Sequence, residues 1–103
     1  MTKSRDTANI IKQPFTQTLG TSNYRAGVNA GNSITSGGNY NVTVGDEAGT
    51  AITTGDQNVA VGFEALKANT TGQRNTALGW NALLSNTTAQ GNTAVGAFAG
   101  DSN

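Results

Sequence analysis

The sequence predicts an all-β fold: a parallel β-roll, or β-solenoid, of about five 17-residue coils preceded by an extended amino-terminal arm. Three observations predict it. First, a short motif recurs: Asn41-Val42-Thr43-Val44-Gly45, Asn58-Val59-Ala60-Val61-Gly62, Asn75-Thr76-Ala77-Leu78-Gly79 and Asn92-Thr93-Ala94-Val95-Gly96 follow one another at intervals of 17 residues. A degenerate copy, Asn23-Tyr24-Arg25-Ala26-Gly27, lies 18 residues before the first. Second, the motif alternates with period two, the mark of a strand. Val42 and Val44, Val59 and Val61, Thr76 and Leu78, Thr93 and Val95 fall on one side, and the small Thr43, Ala60, Ala77 and Ala94 on the other. Third, the unit is too short for two helices and a turn, but it fits one coil stacked on the last at about 4.8 Å, so that five make a rod on the order of 20 Å.

Residues 1–19 form the arm. They hold the only proline and no copy of the motif. Pro14 biases Gln13 toward an extended conformation. Ile10, Ile11, Phe15 and Leu19 provide apolar side chains to dock on another chain. Lys3, Arg5 and Lys12 against Asp6 leave the first 21 residues with a charge of +2, suited to an acidic neighbour, and the remainder carries −2.

Residues 20–103 form the roll. Gly20, Gly38, Gly55 and Gly72 each stand three residues before the motif's Asn; Ala89 interrupts this column, and Gly91 is expected to compensate for it. Gly27, Gly45, Gly62, Gly79 and Gly96 close each strand, and Ala30, Ala48, Ala65, Ala82 and Ala99 follow. The next columns read Gly31, Gly49, Leu66, Leu83, Gly100 and then Ile34, Ile52, Asn69, Asn86, Asn103. Each coil is expected to hold two short strands and two turns, with glycine supplying positive φ or close backbone contact. The small-only strand face implies close backbone approach and therefore the inside of a flattened coil. The Asn column suits either a stacked amide ladder or simple turn preference.

Composition agrees with a stacked repeat. Only 35% of the 103 residues are hydrophobic, while Asn, Thr and Gly supply 43. So apolar-poor a monomer struggles to offset its chain entropy. Disorder would explain the composition too, but disordered tracts do not hold an apolar pair in strict register.

Gly72 to Thr88, and Gly55 to Thr71 nearly as well, match the form Gly-x-x-Asn-Thr-Ala-(Ile/Val/Leu)-Gly-x-x-Ala-Leu-x-x-Asn-Thr-Thr. This resembles the head repeats of trimeric autotransporter adhesins of the YadA type, which are similar to repeats in phage fibres. The resemblance covers roughly residues 20–103. It implies a left-handed parallel β-roll in which three chains lie side by side with their branched strand residues along the threefold axis. Val42, Val44, Val59, Val61, Leu78 and Val95 would form that trimer core. A trimer also meets the energetic need, because each coil offers two or three apolar side chains at about 1.5–3 kcal/mol when fully buried.

The arm departs from the adhesin pattern and contains no secretion signal. Lys3-Ser4-Arg5-Asp6-Thr7-Ala8-Asn9 is similar instead to the short starts of virion fibre and decoration proteins of tailed phages, which assemble in the host cytoplasm. The sequence also stops within a repeat, at Asn103, as expected of a piece of a longer fibre or, as the less favoured alternative, of a repeat that ends bluntly. The expected function is therefore structural: a trimeric capsid decoration, fibre or proximal tail-fibre segment in the virion, attached to a capsid or tail protein through the arm. The alternative is a bacterial cell-surface adhesin head that binds matrix or a host-surface glycan.

Catalysis is not expected. The chain lacks His and Cys, and with them the usual base, nucleophile and soft metal ligand. No cofactor or metal is expected. Asp46, Glu47 and Glu64 are better read as a solvated face than as calcium ligands, because Asn81 ends the column that Glu47 and Glu64 share. Phe63 and Trp80 share a column after the strand glycine, and form either an outer platform for a sugar or partner protein or a packed edge between subunits. There is no basic stripe to bind nucleic acid, and no apolar run long enough for membrane insertion.

Overall fold

The computed structural model describes residues 19–101. The arm residues Lys3, Arg5, Ile10, Ile11, Lys12 and Phe15 lie outside them, as does Asn103. Five three-residue strands, β1 (Tyr24–Ala26), β2 (Val42–Val44), β3 (Val59–Val61), β4 (Thr76–Leu78) and β5 (Thr93–Val95), stack in chain order into one parallel sheet. The register runs from motif to motif, Tyr24 to Val42 to Val59 to Thr76 to Thr93. The chain is thus an all-β solenoid of about four turns. The extra residue of the first interval lies at Ser36-Gly37, which together take the place of Thr54 alone: Thr35 donates to Thr53 O, while a Cβ on Gly38 would face Gly55 O.

One expectation fails. Each coil contains one strand, not two. The rest is built from turns, because three positions per coil, besides the strand-closing glycine, adopt left-handed backbone that no extended run accommodates. They are exemplified by Gln57 (φ 59°), Glu64 (φ 60°) and Leu66 (φ 53°), with counterparts above and below. The coils nevertheless hydrogen-bond all the way round. Gly31, Gly49, Leu66 and Leu83 N–H donate to Ala48, Ala65, Ala82 and Ala99 O at 2.8–3.0 Å.

The strand alternation sorts inside from outside as the sequence implies. Thr43, Ala60, Ala77 and Ala94 are buried, facing the interior. Inside, side-chain volume is exchanged between columns. The second coil combines Thr43, Gly49 and Ile52, whereas the third combines Ala60, Leu66 and Asn69 and the fourth Ala77, Leu83 and Asn86. A Cβ on Gly49 would sit 2.6 Å from Thr43 Cγ2 and 2.8 Å from Ile52 Cδ1. The branched Thr and Ile therefore fill the space that a leucine fills one coil later, and close packing tolerates only one of the two solutions per coil.

The Asn column forms an amide ladder. Asn58 Nδ2 donates to Asn41 Oδ1 at 3.1 Å, and the Asn58 backbone N–H donates to the same oxygen at 2.9 Å. Asn41 and Asn75 repeat both bonds on Asn23 and Asn58. The second Nδ2 proton goes to a carbonyl of the next coil, Gly55 O from Asn41 and Gly72 O from Asn58. Asn41, Asn58 and Asn75 are fully buried, and this set of bonds satisfies them. A shorter ladder joins Asn86 Nδ2 to Asn69 Oδ1 at 2.8 Å. The threonines of the column that follows also bond coil to coil: Thr35, Thr53 and Thr70 hydroxyls donate to Thr53, Thr70 and Thr87 O.

Candidate functional site

With the interior filled by the chain's own side chains, function falls to the outer surface. The outward strand positions make two parallel columns: Tyr24, Val42, Val59, Thr76, Thr93, and Ala26, Val44, Val61, Leu78, Val95. The six residues expected to form a trimer core all lie on this ridge. Val42, Val44, Val59 and Val61 are half-buried by neighbouring coils. Leu78 and Val95 are more open, at 45% and 66% exposure. Tyr24 extends the ridge at its amino-terminal end, a member the degenerate first motif concealed. Leu19, the one expected attachment residue within the described chain, is exposed and makes no part of the roll's core.

The second feature is the corner just past the strands. Phe63 and Trp80 follow Gly62 and Gly79, and stacking places their ring centroids 6.3 Å apart at 56°. Phe98 joins them, 5.3 Å from Trp80 and tilted by 49°. The rings are 46%, 53% and 50% exposed. Tilted pairs at such distances contribute about 0.5–1.5 kcal/mol beyond their buried area. Phe98 could not be found by column matching, because it aligns with Asn29, Glu47, Glu64 and Asn81, a polar series. Its ring reaches Trp80 from one residue further along, at left-handed φ 62°.

Carboxylates border the same corner, and each has a bond within it. Asp46 Oδ1 accepts the Val28 N–H at 2.9 Å and Glu47 Oε2 accepts Asn29 Nδ2 at 2.8 Å. Glu64 Oε2 pairs with Lys67 Nζ at 3.0 Å. The hydrogen bond that the Lys67 ammonium donates to the Glu64 carboxylate, and then that carboxylate's negative charge, raise the Lys67 pKa above its ordinary value. Among the described residues no three acidic, His or Cys side chains converge as a metal site would require.

Where the last coil ends, a concavity of about 560 Å³ is lined by Leu83, Asn86, Asn92, Ala94 and Gly100. It is the open face of the stack. Gly91, expected to compensate for Ala89, does something else: at φ 70° it occupies the left-handed position that Ser22, Tyr40, Gln57 and Arg74 occupy in other coils. Its backbone follows the ordinary pattern, so the loss of glycine at 89 stands uncorrected. Comparison with known protein families, curated proteins and solved structures finds no match to this chain.

Proposed function

We propose that the chain is a structural, non-enzymatic rod segment that works as a homotrimer, its outward strand ridges packed together along a common axis. The observation that supports this is the ridge itself. Leu78 and Val95 stand substantially exposed in line with Val44 and Val61, on a sheet whose other face is already filled. Covering such a column is worth about 1 kcal/mol or more for each half-exposed aliphatic residue. Three copies supply identical ridges at matching 4.8 Å intervals, which a partner of irregular surface does not. The repeat's likeness to adhesin heads and phage fibres, together with the polar, basic start of the arm, supports a place in the virion of a tailed phage. There the rod serves as decoration or fibre, held through residues 1–19.

Light scattering on the purified full chain tests the assembly. The expected mass is that of three chains, falling to one when Val61 and Leu78 are both replaced by Asp. A monomeric wild-type protein that is nonetheless folded would remove the shared-core reading. Attachment is tested by Ile10→Asp with Ile11→Asp, expected to abolish particle decoration while leaving the trimer intact.

One observation favours a second reading, a surface adhesin: the half-exposed Phe63, Trp80 and Phe98 make an aromatic strip suited to sugar faces. Saturable glycan binding lost in Trp80→Ala would decide for it.

A further inference from the structure

The glycines before each Asn are required by space and not by backbone conformation. Gly20, Gly38, Gly55 and Gly72 are absent from the residues with positive φ. Yet a Cβ on Gly38 would lie 2.5 Å from Thr53 O, and one on Gly55 or Gly72 would overlap Gly72 O or Ala89 O of the coil above. Real Cβ atoms do not come this close to a backbone carbonyl. Every coil that carries another coil in register therefore has glycine here.

The fifth coil has Ala89, and its backbone keeps the pattern. Asn75 Nδ2 donates to Ala89 O at 2.9 Å, as Asn58 Nδ2 does to Gly72 O at 2.8 Å. Asn86 Nδ2 donates to the same oxygen at 3.2 Å, as Asn69 Nδ2 does to Gly72 O at 3.1 Å. The Ala89 Cβ is thus where the carbonyl of a sixth coil would come. Although Asn92 Nδ2 turns to Asn86 Oδ1 at 3.3 Å, the backbone of this edge repeats those beneath it. Asn92 takes the ladder bond from its backbone N–H to Asn75 Oδ1 at 2.9 Å, and Thr93–Val95 keeps the parallel register of β4. An otherwise regular strand edge with apolar residues around it is a template for further pairing. Head-to-tail addition of copies there would generate an open filament.

We propose that Ala89 is a steric stop: it closes the carboxyl-terminal face of the stack to another coil in register, whether that coil comes from following chain or from a second copy. The stop blocks growth along the rod and leaves the lateral ridge free, so it does not depend on the trimer reading.

The test extends the full chain after Asn103 with a copy of residues 70–88, which continues the repeat by one coil. Amide hydrogen exchange is read on the added copy of Thr76–Leu78 and on native β5. With Ala89 the added strand should exchange as unfolded peptide does. With Ala89→Gly it should be protected about tenfold or more, while Ala89→Ser should behave as the natural residue. Equal protection in the Ala and Gly forms, absence of protection in both, or protection in the Ser form would each overturn the proposal. So would loss of β5 protection in the Gly form, because alanine would then serve its own coil and not exclusion of the next.

Discussion

Replacing Asn58 by Ala should destabilise the chain by about 2–4 kcal/mol. The side chain sits in the middle of the ladder, fully buried. Its Oδ1 accepts the Asn75 backbone N–H at 3.0 Å and Asn75 Nδ2 at 3.2 Å. Truncation leaves that backbone N–H buried with no acceptor, at a cost of about 1–3 kcal/mol. Asn75 Nδ2 fares better, because it retains Ala89 O at 2.9 Å. Gly72 O likewise retains Asn69 Nδ2. A small void adds roughly 1 kcal/mol. Asn58→Asp should be worse at neutral pH, since it places a charge in the same buried position and removes both Nδ2 bonds. Burial raises the folded-state pKa of that Asp above its unfolded value of about 3.9. Its penalty is therefore full above the folded value and fades as the pH falls toward the unfolded one. Equilibrium urea unfolding, at one fixed protomer concentration, reads both effects. With a slope of about 1–2 kcal/mol per molar, Asn58→Ala should lower the midpoint by about 1–4 M. Asn32→Ala, which loses only exposed bonds to Asn29 and Ser33, should shift it little. A midpoint for Asn58→Ala equal to that of Asn32→Ala would refute the claim that buried ladder bonds hold the coils together, as would an Asp variant indifferent to pH.

Three further outcomes follow from the packing. Gly49→Leu alone should cost about 2–4 kcal/mol, from overlap with Thr43 and Ile52 and from left-handed backbone at φ 58°. Combining it with Thr43→Ala and Ile52→Asn copies the third coil and should restore at least half of that loss in the same urea titration. Gly72→Ala, which drives a Cβ into Ala89 O and Asn69 Oδ1, should lower the urea midpoint and remove exchange protection from β5 before β2. The Lys67 ammonium should titrate above its ordinary 10.5 by NMR and return toward it in Glu64→Gln. The pair's small stabilisation is complete below that ordinary value and is lost as the pH rises through the raised one.

The period of the motif and the Val/Ala alternation make the stack, its register and its inside face legible from sequence. Each depends on one residue repeating its own surroundings. The turn half of the coil is less legible. Glu64, Leu66 and Leu83 adopt left-handed backbone against their own preference, because coil-to-coil bonds such as Leu66 N–H to Ala82 O hold them there. The exchange of Gly-plus-Ile for Leu-plus-Asn looks like drift in two separate columns until the structure places them around one space. Ala89 and Gly91 look like one displaced glycine for a similar reason. One stands in a column ruled by sterics, the other in a column ruled by backbone sign, and letters alone do not distinguish the two. Of the aromatic corner, Phe63 and Trp80 were visible by spacing, whereas Phe98 arrives from a neighbouring column.

Bonds within a coil are mainly turn bonds three residues apart, and those that join one coil to the next, such as the ladder bonds and Gly45 N–H to Ala26 O, link residues about 14–19 apart in sequence. Among the described residues, the hydrogen bonds of a coil reach only the coils directly beside it. Under tension along the chain, the structure therefore has a natural quantum of failure. Releasing one terminal coil frees 17 residues, about 55 Å of extended chain, and the exposed edge of the next coil is then loaded in its turn. A pulled rod should lengthen in even steps of that size and not rupture at once, absorbing work coil by coil while the remainder stays folded.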